Sequence, residues 1–301
     1  MADVVDLLAR RQIVVDGTVG AGGHAEALLD AGVGTLVGLD RDPAALEEAT
    51  RRLARFGDRF RPVLARFSRI AEALGDVGVV PPPVTDRSDG SEAGVVGGVL
   101  LDLGVSSMQL DRPERGFSFR SPGPLDMRMG PTEPGRQSAA DVVNSYPEQE
   151  LARVIYEYGE ERMSRRIAGA IVRARSRMPI ETTGQLAAIV AGAVRAGGRG
   201  RRAGPHPARR TFQAIRIEVN GELEEVAACL PQAASHLEPH GRVVVISYHS
   251  LEDRIVKRFL GDEASLDVLT RKPHRASAAE ASANPRARSA RLRAAERGEA
   301  A

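Results

Sequence analysis

Residues 12–25, QIVVDGTVGAGGHA, and residues 35–40, TLVGLD, decide the fold. The first stretch reads as a short apolar strand running straight into a glycine turn that opens a helix. The second reads as another strand, ending on a carboxylate at Asp40. Backbone N–H groups and a helix N-terminus then stand beside one negative side chain, the arrangement with which an α/β sheet holds a charged group and a ribose together. An adenosine-bearing cofactor suits such a site.

Strand and helix signals alternate outward from that turn. IVVD leads to a helix from about Gly23 to Ala31, and TLVGLD leads to a helix entered at Asp42-Pro43, a good cap followed by a good first helical residue. RFRPVLARF gives a third strand and SRIAEALGDV a helix. VVGGVLLDLG, continuously apolar and ending on Asp102, reads as a buried central strand. The pattern predicts a mostly parallel sheet covered by helices.

Between these elements lies PPPVTDRSDGSEAG, residues 81–94, with the composition of an exposed loop insertion. After Asp102 periodicity stops for almost 30 residues, SSMQLDRPERGFSFRSPGPLDMRMG, although large apolar and charged side chains remain. Such a segment at a strand C-terminus is expected to be ordered by contacts and to serve a ligand. Residues 137–196 are helical in pattern, with starts marked by Ser138 and Asp141 and by Thr182 or Thr183 with Gln185. With no strand among them they are expected to form an inserted helical subdomain.

Following the soft GGRGRRAGPHPARR, a long amphipathic helix with a break near Asn220-Gly221 precedes the strand GRVVVISYHS. The helix LEDRIVKRFL then offers Glu252 and Asp253 to its own N-terminus. The Ala-, Arg- and Ser-rich last 30 residues are expected to lie across the surface or to be partly disordered. The expected division is a cofactor domain from residues 1–110 and 211–301 and an inserted substrate-recognition domain from residues 111–210.

The chain of 301 residues is long enough for one large domain or two modest ones. It shows neither a cationic apolar leader nor an apolar run near 18 residues, so secretion and membrane spanning are not expected and a cytoplasmic location is. Its single cysteine, Cys229, has helical apolar neighbours and reads as core, which excludes an intrachain disulfide and argues against a cysteine zinc site. Net charge is only +2, but it is unevenly spread. From Asp111 to Arg210 there are 18 arginines against 11 acids, and from Arg271 to Ala301 eight basic residues against three acids. A polyanion touching these two segments is one reading, and a merely solvated surface the other.

Gly20, Gly22 and Ala25 satisfy G-x-G-x-x-G/A, with Asp40 twenty positions after Gly20, which admits a nicotinamide or flavin dinucleotide and with it an oxidoreductase. Gly23-His24 and Asp16 fit S-adenosylmethionine better, with Asp16 near an amino group and Gly22 close against the amino-acid backbone. That cofactor carries an amino acid and a sulfonium and has no pyrophosphate to neutralise. Asp40 would accept from ribose hydroxyls, Phe67 would lie at the adenine, and Asp102 beside the methyl donor; taken singly, Phe67 also suits the core and Asp102 a cap. His24 has no second ligand at metal spacing, so no metal is expected and a neutral, hydrogen-bonded histidine is. His249 ends a strand and is expected at the active site.

VDGTVGAGGH, LDLGVSSMQLDRPERGFSFRSPGPLDMRM, RTFQAIRIEVNGELEE, VVVISYHSLEDRIVKRF and NPRARSARLRAAER occur in order and touch both ends of the chain. Together they resemble the bacterial ribosomal RNA small-subunit methyltransferase H family, whose members methylate the exocyclic N4 of a cytidine in the decoding region. The resemblance implies a class I S-adenosylmethionine-dependent methyltransferase (Rossmann-like) fold of seven strands with a helical domain inserted after the fourth. It assigns cofactor binding to Gly22, Gly23, His24, Asp40, Phe67, Asp102 and Gln109. Two departures stand out: ADVVDLLARRQ replaces a segment rich in histidine, proline, valine and leucine, and GDEASLDVLTRKP is shorter than its counterparts, which often contain cysteine.

An exocyclic cytosine amine is a poor nucleophile because its lone pair is delocalised, so positioning and oriented acceptors should dominate catalysis. Asp102 or a nearby carbonyl is expected to orient the amine, with Ser106, Ser107 and His249 as secondary candidates. Phosphate contacts are expected from Arg112, Arg115, Arg120 and Arg128 and from Arg286, Arg288, Arg291 and Arg293, about half of which should instead be internal pairs. The expected partner is small-subunit ribosomal RNA or the 30S particle, with a flipped or unpaired cytidine. Alanine-rich helices permit a homodimer, and a non-catalytic ribosome assembly factor is the rival of another class.

Overall fold

The computed structural model describes residues 1–79, 94–131, 135–196 and 206–299. The insertion expected at 81–94, apart from Gly94, and most of GGRGRRAGPHPARR lie outside the described residues. The chain forms two compact units, one running to Gly104 and resuming at Leu223, the other spanning Val105–Glu222.

In the first unit seven strands make one sheet: β1 (Ile13–Asp16), β2 (Thr35–Asp40), β3 (Phe60–Leu64), β4 (Val96–Asp102), β5 (Leu237–Ser247), β6 (Leu266–Val268) and β7 (Arg291–Arg297). Their order is β3-β2-β1-β4-β5-β7-β6, parallel except for β7, which runs antiparallel to both neighbours. This is the class I methyltransferase arrangement.

Alternating side chains send each strand's residues to two cores. Val15, Val37, Val99, Leu101, Val243 and Val245 pack with α4 (Ile70–Asp76), α11 (Glu222–His236) and α12 (Ser250–Asp262), where Cys229 is fully buried. Val14, Leu36, Leu100, Val244 and Ile246 pack on the other face with α1 (Ala2–Leu8), α2 (Gly23–Asp30) and α3 (Pro43–Leu53). Each fully buried leucine here contributes about 1.5–3 kcal/mol of apolar transfer. Helix α1 approaches closely at β4, where a Cβ on Gly98 would fall 2.5 Å from Leu8 Cδ2.

The same alternation positions the site. Asp16, Asp40 and Asp102 follow Val14, Leu36 and Leu100 by two residues or multiples of two, and so face the α2 side of the sheet. Asp16 stands opposite Gly38 on β2 and Leu100 on β4, so Asp40 and Asp102 lie one pleat further out, flanking it.

The last 30 residues depart from expectation. After α13 (Ala278–Ala283), RLRAAER enters the sheet as β7, with Ala294 and Ala295 fully buried. Arginine and alanine have weak strand propensity, but the exposed edge of β5 demands a partner, and that pairing overrides local preference.

The second unit holds α5 (Ser107–Asp111), α6 (Ala139–Ser145), α7 (Glu148–Glu157), α8 (Ser164–Arg175), α9 (Thr183–Arg195) and α10 (Arg209–Asn220). Both expected helix starts are capping boxes, Ser138 with Asp141 and Thr182 with Gln185. The 111–210 boundary needs correcting, because α10 belongs to the insert: Phe212, Ile215 and Val219 join its core, and the break falls at Gly221, φ +59°. The aperiodic segment is ordered by that core. Phe117, Leu125, Met127 and Met129 are buried in it, and Asn220 donates to Met127 O (2.7 Å) and accepts from Met129 N–H (2.9 Å). Those two bonds hold Met127 at φ +61°, a conformation a long side chain otherwise avoids.

Candidate active site

Glycine geometry shapes the turn after β1. Gly20 and Gly22 have φ of +52° and +81°, and a Cβ on Gly22 would lie 3.2 Å from Leu53 Cδ1 and 3.4 Å from Ala49 Cα. Gly22 is the N-cap of α2 and offers no side-chain acceptor, so the first-turn N–H groups of α2 have no side-chain cap. Gly23 faces open space, with nothing within 4 Å of an added Cβ. The turn therefore presents a helix N-terminus with room above it.

Three carboxylates surround this turn. Asp40 is held by two backbone donors, Gly20 N–H to Oδ2 (3.0 Å) and Asp42 N–H to Oδ1 (2.9 Å). Asp16, only 1% exposed, accepts from Thr18 N–H (3.1 Å) and faces the hydroxyl of the same residue at 3.5 Å. Thr18 Oγ1 in turn accepts from Asp102 N–H (2.7 Å), tying the tips of β1 and β4 together. Asp102 Oδ1 accepts from the Tyr248 hydroxyl (2.9 Å), and its Oδ2 lies 3.5 Å from His24 Nδ1.

Burial pushes the Asp16 carboxyl up to about 7, with the charges of Asp102 and Asp40 adding to the effect and the Thr18 hydrogen bonds opposing it. Burial also raises Asp102, opposed by His24 and Tyr248. His24 is lowered by burial despite Asp102, which favours the neutral imidazole, and Tyr248 is raised by burial and by Asp102. Among the described residues no arginine or lysine forms an ion pair with Asp16 or Asp102.

Two carboxylates without an arginine or lysine partner among the described residues, Asp16 and Asp102, beside a third at Asp40, disfavour a pyrophosphate and favour a positively charged ligand. The pocket fits S-adenosylmethionine, whose ammonium and sulfonium are cationic and whose carboxylate suits the α2 N-terminus.

The model of the MraW methylase family matches residues 1–298. The chain belongs to that family. Proteins named ribosomal RNA small subunit methyltransferase H are similar to it over most of their length. The one from Acidothermus cellulolyticus is 49% identical, over 95% of this chain and 87% of its own. That from Geobacter sulfurreducens is 49% identical, over 98% and 96%, and that from a Methylobacterium species 50%, over 96% and 86%. As an MraW methylase the chain is an S-adenosylmethionine-dependent methyltransferase, and nothing favours the oxidoreductase or the non-catalytic assembly factor.

Within the MraW methylase first unit, the structure brings together Asp16, Gly20, Gly22, Gly23, His24, Asp40 and Asp102. Phe67, partly exposed in a short 3₁₀ turn after β3, stands beside Gly17, where an added Cβ would meet Phe67 Cβ at 3.1 Å. Tyr248 is the residue that sequence reasoning missed. It follows β5, whose Ile246 pairs with Asp102, so strand register was the signal that placed it at the site.

His249 needs correcting. It does not project from a strand end; it is the N-cap of α12, with Nδ1 accepting from Glu252 N–H (3.4 Å) and Nε2 3.1 Å from Glu252 Oε1. Glu252, 1% exposed, also accepts from Tyr248 N–H (3.0 Å), so the pair shapes the turn that carries Tyr248. In the second unit Ser106 and Gln109 form the capping box of α5, with Ser106 N–H donating to Gln109 Oε1 (3.0 Å) and Gln109 N–H to Ser106 Oγ (3.2 Å). Ser107 opens α5, and its side chain lies outside the described residues.

The arginines divide. Arg115 donates to the carbonyls of Arg128 and Met129, and Arg128 forks onto Asp126 at 2.9 and 2.5 Å. Arg291 and Arg293 both reach Asp253, and Arg293 is 6% exposed, so it is an internal ion pair and not an RNA contact. Arg112, Arg120, Arg286 and Arg288 are exposed.

Proposed function

We propose that this methylase transfers a methyl group to the exocyclic N4 amine of a cytidine in the decoding region of small-subunit ribosomal RNA. Asp102 carries the reading: a carboxylate held by Tyr248 and His24 beside the glycine turn is an oriented acceptor for an N–H. The near full-length relatives named for small-subunit ribosomal RNA support the substrate.

S-adenosylmethionine supplies an electrophilic methyl on its sulfonium. Asp16 takes the cofactor's ammonium, Asp40 the ribose hydroxyls, the Gly22-Gly23 turn and His24 the amino-acid end, and Phe67 the adenine; Gln109 steadies the α5 entrance. Asp102 would accept a hydrogen bond from one amine N–H, returning lone-pair density to N4 while the N–C bond forms and the methyl–sulfur bond breaks to leave a neutral thioether. The surplus amine proton would then pass to Asp102 and on to water. The raised proton affinity of Asp102 makes it a better acceptor than an ordinary aspartate. Tyr248 fixes the carboxylate plane, and neutral His24 limits the charge around it. Because a paired base buries its amine in the duplex, the cytidine enters unstacked.

Arg112, Arg120, Arg286 and Arg288 supply phosphate contacts. Among the described residues no helix is long and apolar enough to cross a membrane. The same reading puts the enzyme in the cytoplasm with its ribosomal substrate and allows a homodimer.

The test is transfer of labelled methyl from S-adenosylmethionine into small subunits lacking the modification, followed by nucleoside analysis. N4-methylcytidine at one decoding-region position is the expected product. Label on another nucleoside, or none, overturns the proposal.

A further inference from the structure

A groove of about 1170 Å³ runs along α7 and the start of α8, lined by Glu148, Arg153, Tyr156, Arg162, Arg165 and Arg166 among others. All of these residues belong to the second unit. We infer that this groove binds the sugar–phosphate backbone of the substrate RNA at nucleotides other than the methylated one. The inference rests on the ribosomal RNA reading above.

Charge bookkeeping around the groove is lopsided. Arg153 is outweighed by Glu150 and Glu157, at 2.5 and 2.6 Å, and Glu148 adds a further carboxylate to the lining, so the positive surplus is confined to the α8 end of the groove. Arg162, Arg165 and Arg166 are exposed, and among the described residues no carboxylate pairs with any of them. Arg165 and Arg166 also sit in the first turn of α8, which contains no acidic residue and where the helix dipole disfavours a cation. Glu161 accepts from Met163 N–H just before that turn (2.9 Å), but among the described residues no carboxylate pairs with either guanidinium, which phosphates would.

Tyr156 identifies the class of polyanion. It is 61% exposed on α7, in the same groove as the arginines. A base or ribose can stack on an exposed aromatic ring while neighbouring guanidinium forks take the phosphates, the combination with which proteins hold single-stranded RNA. An acidic protein surface would satisfy the arginines but leave the ring without a partner. The groove is open and exceeds the usual volume of a small-metabolite site, about 300–1,000 Å³, as a polymer requires.

The experiment compares wild type, the triple variant R162A/R165A/R166A, the triple lysine variant R162K/R165K/R166K, and Tyr156→Ala. Affinity for a decoding-region RNA fragment and for intact small subunits is measured between 50 and 200 mM salt, with kcat, KM and S-adenosylmethionine affinity alongside. The alanine triple variant is expected to bind the fragment about tenfold or more weakly and to lose about 2 from the salt slope. Its kcat at saturating RNA and its cofactor affinity should stay within about twofold, because all three residues belong to the second unit and the cofactor turn belongs to the first. Tyr156→Ala should weaken binding about fivefold or more without changing the slope, and the lysine variant should retain the slope. Unchanged fragment affinity and slope in the alanine variant overturn the inference. So does a defect seen only on intact subunits, which would make the occupant a ribosomal protein, and so does loss of the slope in the lysine variant. If wild type itself methylates no ribosomal RNA, the functional reading fails; if wild type methylates and the triple variant binds like it, only the groove fails.

Discussion

The pocket at the strand tips and the groove between α7 and α8 concentrate charge of opposite sign. Asp16, Asp40 and Asp102 gather negative charge where water is largely excluded, and Arg162, Arg165 and Arg166 gather positive charge in solvent. Burial makes the first arrangement costly and its protons negotiable, hence the raised Asp16 and Asp102. Exposure makes the second cheap, permanently charged and sensitive to salt. One region suits a small cation taken up singly, the other a long polyanion held at several points.

That contrast breaks first at Asp102. Asp102→Asn keeps the shape but loses the anionic acceptor, and kcat is expected to fall about 100- to 1,000-fold with cofactor affinity nearly unchanged. Full turnover at saturating cofactor would remove Asp102 from the chemistry. Asp40→Ala should act on binding instead, weakening S-adenosylmethionine about 10- to 100-fold in calorimetry while RNA affinity holds. Equal losses in both affinities would mean that the two regions are not chemically separate.

Tyr248→Phe sharpens the comparison with a smaller effect, about tenfold in kcat. The hydroxyl donates to Asp102 and holds its proton affinity down, so its loss should move the acidic limb of the kcat–pH profile to higher pH. A merely structural tyrosine would lower activity without moving that limb. Arg293→Ala separates the two kinds of arginine. It should cost about 1–3 kcal/mol of stability in denaturant unfolding by leaving partly buried Asp253 only the longer contact to Arg291, yet leave the salt slope of RNA binding alone.

Much of the pocket was legible because its chemistry lies at strand ends in local motifs. IVVDGTVGAGGH, TLVGLD and VLLDLG each announce a strand, its exit and the residue waiting there. The residues misread are those whose role depends on partners distant in sequence. Tyr248 meets Asp102 across 146 positions, and Arg293 meets Asp253 across 40, and neither spacing carries a periodic signal. His249 and Ser106 read as candidate catalysts by type, and their geometry shows a capping role that the type alone did not signal. The α10 boundary was misplaced because the composition changes before residue 206, whereas the chain leaves the helical core only at Gly221.

Asp16 carries the most direct test. Its carboxyl, raised to about 7, binds a proton in the folded state that the unfolded chain releases near pH 4, so apo stability should fall as pH rises from about 4 to about 7 and then level off. A cation that pairs with ionised Asp16 reverses that penalty. The decisive measurement is S-adenosylmethionine affinity between pH 5.5 and 7.5 for wild type and Asp16→Asn. Wild-type affinity is expected to rise by up to about tenfold per pH unit below the Asp16 pKa, while the variant stays weak and flat. A flat wild-type profile, or the same rise in both proteins, would contradict a pocket built to take a cation between carboxylates.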